Sequence, residues 1–260
     1  MIDSQQRIHP VHEAGDEEST APHDGRKHMY SASSSDSESL AGNPSQQETA
    51  QIAKTMPILT SILLIAYVVT TILGFISLES PEDAIGDPYF TIMEILILTI
   101  MPPMVLTMVL FQRLICAKTS PFFGQVSVIF MALCAGVTSC VHATVLAVSR
   151  DFYQESENVN AQVIHEYLFS FQWPSVVYAL DILAWDWFFG LSMLFGAVAI
   201  AWKGGTKMER ALRVLMCISG ILSVVGLIAV PLDNMNVRII GIVGYAFFGI
   251  GVFIAMAVTF

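Results

Sequence analysis

Two carboxylates, Asp181 and Asp186, interrupt an otherwise apolar run from Gln172 to Trp202, QWPSVVYALDILAWDWFFGLSMLFGAVAIAW. A charge at the centre of a bilayer costs from roughly 3 to more than about 10 kcal/mol, so an acid inside a membrane span faces protein or a wet cavity. Further ionisable groups sit in other apolar stretches: Glu94, His142 and, at the start of the last, Arg238. Carboxylic acids kept out of water can retain a proton and donate it. Such an acid can protonate an alkene or epoxide of a lipid-soluble molecule, and aromatic faces such as Tyr178, Trp185, Trp187 and Phe189 can stabilise the cation that results. The same groups can instead relay protons in transport. Each also has a structural alternative: His142 can hydrogen-bond across helices, Glu94 can snorkel to water, and Arg238 can neutralise Asp181.

Composition decides the class of protein that holds these groups. Of 260 residues, 54% are hydrophobic and 13% charged, and the mean hydropathy is +0.63, outside the ordinary soluble range. The chain reads as an all-α integral membrane protein. Its net charge of −10 owes much to the N-terminal segment, where nine of the 22 acidic residues lie before position 55. No basic patch supports nucleic-acid binding. Cys116, Cys134, Cys140 and Cys217 have neither metal-ligand nor disulfide spacing, so free thiols are expected. One histidine with scattered carboxylates defines no metal site, and neither metal nor cofactor is expected.

Residues 1–53 are polar and contain SASSSDSES, Ser31 to Ser39, which reads as a disordered tail preceding a membrane domain over 54–260. With no secretory signal evident in that tail, the first span is expected to direct insertion. Six apolar stretches follow, 56–78, 89–111, 126–149, 173–202, 214–232 and 237–260, each long enough to cross a bilayer. Pro102 and Pro103 are expected to kink or break the second, and the fourth is long enough to extend into the headgroups. Arg113, Lys118, Lys203, Lys207, Arg210 and Arg213 fall in alternate loops, which puts those loops and both termini in the cytoplasm. The acidic or near-neutral loops Glu79–Pro88, Arg150–Tyr167 and Pro231–Arg238 then face outward or into a lumen. Small residues at four-residue spacing, Ala132/Gly136/Cys140, Ser192/Gly196 and Ser219/Ser223, with Gly241 and Gly244 nearby, predict close helix packing.

This topology assigns depths. At 1.5 Å per residue, Glu94 and His142 lie about 8 and 10 Å below the outer ends of their spans, and Asp181 and Asp186 about 12 and 20 Å below Trp173. The inference is one polar pocket toward the outer leaflet, walled by spans two, three, four and six, with Arg238 and Tyr245 contributed by the last. Tyr178, Asp181 and Trp185 share a helical face, while Asp186 is turned about 140° from Asp181. Both acids face inward only if that helix is largely enclosed.

The segment WPSVVYALDILAWDWFFGLSMLF, Trp173 to Phe195, with GIVGYAFF, Gly241 to Phe248, resembles a group of uncharacterised small microbial integral-membrane proteins. In size, helix count and intramembrane acids the chain is also similar to the integral-membrane terpene cyclases of fungal meroterpenoid pathways. That likeness implies Asp186 as general acid, with Glu94 or Asp181 orienting it or taking the final proton. His142, Tyr178, Trp185, Trp187, Arg238 and Tyr245 would then line the substrate site. The expected function is therefore a membrane-embedded cyclase or isomerase acting on a prenylated, terpenoid-like molecule in the endoplasmic reticulum or plasma membrane. A proton-coupled transporter or channel, and an accessory membrane protein working through its tail, are the alternatives. The expected partners are the bilayer and a lipid-soluble substrate; the oligomeric state is open.

Overall fold

The computed structural model describes residues 44–80, 85–154, 163–202 and 205–260. The expected tail, 1–43 of it, and parts of three loops lie outside the described residues. Among the described residues, six helices are long and apolar enough to cross a membrane: α1 Gln51–Ile76, α2 Tyr89–Lys118, α3 Pro121–Val148, α4 Val176–Ala199, α5 Lys207–Ala229 and α6 Met235–Thr259. The protein is an all-α, multi-pass membrane bundle.

Neighbours in sequence pack as neighbours in space from α1 to α6, and α6 returns against α1. Burial follows the placement of the polar residues. The α4 helix has 61% of its apolar window inside the bundle, against 22% for α1, whose only charged residue is Lys54 near its start. A helix that carries two acids has to be surrounded by protein; one that carries none can face lipid.

Local chemistry sets the ends of α4. Its helical conformation begins at Val176 rather than 173, because Ser175 caps it, the hydroxyl accepting from the Tyr178 amide at 3.2 Å. At the other end Ile200 is already extended. The 30-residue apolar run is thus a shorter helix with flanks at both borders. Trp173 donates to Asp233 Oδ1 at 2.9 Å, and Trp202 lies under the Arg213 guanidinium, 4.0 Å from Cζ to ring centre.

Pro102 and Pro103 do not break α2, whose helical conformation runs from Tyr89 to Leu114. Pro102 faces outward, and Thr99 and Thr107 donate to the Ile95 and Pro103 carbonyls at 2.7 and 2.8 Å. The carbonyls that the two prolines leave without a backbone donor are those of Leu98 and Thr99, and α2, packed between α1 and α3, runs on past them.

Small residues form the α4, α5 and α6 seams as the spacing predicts. Ser127 and Ser192 exchange hydrogen bonds with each other's carbonyls at 2.6 and 2.8 Å, and Ser219 donates to Gly244 O at 2.8 Å. The Ala132/Gly136/Cys140 stripe differs. Ala132 and Cys140 are exposed, and a methyl group at Gly136 would meet nothing within 4 Å, so this stripe lies on an outer face. All four cysteines are free thiols.

Candidate functional site

Glu94 comes from the second turn of α2, His142 from the last turns of α3, Asp181 and Asp186 from α4, and Arg238 from the first turn of α6. These positions all lie toward one end of the bundle, opposite the basic loops. Among the described residues, the five are also the buried charged and imidazole side chains, none more than 9% exposed. They form one chain of contacts. Glu94 Oε2 hydrogen-bonds His142 Nδ1 at 2.8 Å, and His142 Nε2 stands 3.6 Å from Asp181 Oδ1. Asp181 Oδ2 accepts from Arg238 Nη2 at 2.7 Å, and Arg238 Nε stands 3.5 Å from Asp186 Oδ2. Tyr178 lies beneath the guanidinium at 4.4 Å, and Phe171 stacks on His142 with ring centres 5.2 Å apart.

The charge count is uneven. Three carboxyl groups face one guanidinium and one imidazole. Each base has its own acid at hydrogen-bond distance, His142 with Glu94 and Arg238 with Asp181, which leaves Asp186 as the odd acid. Asp186 has zero exposure, and neither of its oxygens finds a hydrogen-bond partner among the described residues. Its carboxyl packs instead against glycine: a methyl group built on Gly241 would lie 2.5 Å from Oδ1, and one on Gly226 3.3 Å from it. Gly226 and Gly241 thus let α5 and α6 close over the acid.

The backbone of α4 explains how two acids five residues apart reach one guanidinium. From Leu183 to Phe189 the helix widens to π geometry, closing i to i+5, and α6 does the same from Val243 to Phe248. A regular helix would turn Asp186 about 140° away from Asp181; the wide turn brings residues five apart nearer one side. Such π segments occur frequently at functional sites.

Trp185, 5% exposed, packs on Tyr245 and Phe189 with ring centres 5.1 and 5.7 Å apart, and Phe189 meets Tyr245 edge-on at 6.5 Å. Through Tyr245 this aromatic triangle lies within electrostatic reach of the odd acid. Trp187 is not part of it. Its side chain is 37% exposed on the outer side of α4, so only one of the two tryptophans flanking Asp186 turns inward. Tyr67 of α1 belongs to the surroundings although the pocket was expected from spans two, three, four and six. It lies within electrostatic reach of Asp181, Glu94 and Arg238. The signal for it was depth: Tyr67 is nine residues, about 14 Å, before the end of α1, close to the level of Asp181.

No family model, curated protein or solved structure matches the chain.

Proposed function

We propose that this protein is a membrane-embedded acid–base catalyst, a cyclase or isomerase of a lipid-soluble, prenylated molecule, with Asp186 as the acid. The observation that carries the reading is the odd carboxyl. With Glu94 set against His142 and Asp181 against Arg238, the cluster is electroneutral when Asp186 holds a proton. Transfer of that proton to an alkene carbon leaves a carboxylate at Asp186 and a carbocation on the substrate, so the charge lost by the protein is the charge gained beside it. Return of a proton from a neighbouring carbon of the substrate to the Asp186 carboxylate restores both the acid and the charge balance, and the net change is an isomerisation. Trp185, Tyr245 and Phe189 supply aromatic faces next to the acid, which suit a cationic intermediate. Burial away from water protects such an intermediate from hydration. As a multi-pass membrane protein it would act within the endoplasmic reticulum or the plasma membrane.

Proton-coupled transport is the second reading. It is favoured by the contacts that tie α2, α3, α4 and α6 through Glu94, His142, Asp181, Arg238 and Asp186, since a change of charge at one member is felt on four helices. The two readings separate in one experiment. Lipid-soluble metabolites are compared in cells expressing wild-type protein or Asp186→Asn at equal levels and fed farnesylated phenols. The catalytic reading expects a rearranged product that is lost in the variant. Substrate that is moved but chemically unchanged supports transport and ends the catalytic reading.

A further inference from the structure

The five buried groups do not make one proton path. A guanidinium does not give up its proton in a protein. Arg238 therefore divides the cluster into Glu94, His142 and Asp181 on one side and Asp186 on the other. The cation is also shared unequally. It donates to Asp181 at 2.7 Å and rests over Tyr178 at 4.4 Å, whereas its Nε is 3.5 Å from Asp186 and makes no hydrogen bond. His142 Nε2 stands 3.6 Å from Asp181 Oδ1, within ion-pair but outside hydrogen-bond distance, so the hydrogen bond of Asp181 goes to Arg238 through the other carboxyl oxygen.

We infer that Asp181 is a positioning residue: with Tyr178, it holds the Arg238 guanidinium off Asp186, and this offset leaves Asp186 free to carry a transferable proton. Tyr178 and Asp181 lie three residues apart on one face of α4, so the helix fixes both restraints together. Without Asp181, the guanidinium has one neighbouring acid left among the described residues, and the remaining gap is already within ion-pair distance. Asp186 would then be a paired carboxylate. The other ionisable groups facing the pair do not substitute for Asp181: Glu94 is engaged with His142 on the far side, and Tyr67 and Tyr245 are phenols. The inference rests on Asp186 being the acid of the proposed function, but its test needs no turnover.

The test is infrared spectroscopy of the full chain in lipid nanodiscs, with isotope-labelled aspartate to separate its carbonyl bands from those of glutamate. Wild type is expected to show a protonated aspartate carbonyl band that vanishes in Asp186→Asn. Asp181→Asn should lose the same band, and Asp181→Asn combined with Arg238→Gln should regain it. Should Asp181→Asn fail to fold, Tyr178→Leu keeps every charge and should weaken the band. An undiminished band in Asp181→Asn or in Tyr178→Leu overturns the positioning role, and so does its absence from wild type. Lost turnover in Asp186→Asn together with an undiminished band in Asp181→Asn would sink the positioning role and leave the proposed function standing.

Discussion

Gly241→Ala tests how closely the acid is enclosed. The added methyl would sit 2.5 Å from Asp186 Oδ1, 3.1 Å from its Cγ and 3.1 Å from the Gly226 Cα. Ordinary contact begins near 3.4 Å, so the carboxyl or the α6 backbone has to move by about 1 Å. The carboxyl cannot retreat across α5, because the glycine seam there already brings backbone against backbone. Overpacking of this kind costs about 1–3 kcal/mol. An acid displaced by about 1 Å can also lose on the order of a hundredfold in rate. Unfolding of Gly241→Ala in detergent or nanodiscs is compared with Gly136→Ala, where the methyl meets nothing within 4 Å. The expected result is a loss of about 1–3 kcal/mol at Gly241 and little change at Gly136. Equal stability of the two variants would refute the close crossing of α5 and α6 over Asp186.

Other predictions concern the neighbours of the acid. Arg238→Gln strands the buried Asp181 carboxylate and should cost about 3–5 kcal/mol, whereas Arg238→Met with Asp181→Leu should recover most of that loss; an unfolding series on single and double variants checks both. Trp185→Ala should cost about 3–5 kcal/mol, because the ring is buried in the aromatic triangle, and Trp187→Ala clearly less. Equal losses in a thermal unfolding comparison would contradict the inward and outward assignment of the two rings.

The sequence was most legible where physics leaves few alternatives. An acid in an apolar span must be enclosed, so Asp181 and Asp186 marked α4 as the central helix, and depth along the rise brought Glu94 and His142 close to the level of Asp181, with Arg238 at the same end of the last span. Pairing was less legible. Neutralisation of Asp181 by Arg238 was one alternative for that residue, and only packing commits the guanidinium to it, while Asp233 takes Trp173. The π segments were hidden, because no residue type demands a wide turn and the 140° separation assumed a regular helix. Trp187 was misplaced for the same reason: adjacency to Asp186 says nothing of direction when the local turn is unknown. Pro102 and Pro103 argued for a kink or break, whereas the helix runs unbroken through both, between α1 and α3. Tyr67 had no charged neighbour in sequence to single it out.

Proton donation from Asp186 to a lipid-soluble molecule can be followed directly with deuterium. Membranes containing the purified chain are incubated in D2O with a farnesylated phenol, and the product is analysed by mass spectrometry beside an Asp186→Asn control. The expected result is a rearranged product carrying deuterium at the protonated carbon, and none from the variant. Recovery of unchanged substrate, or of a product formed equally by Asp186→Asn, would contradict it.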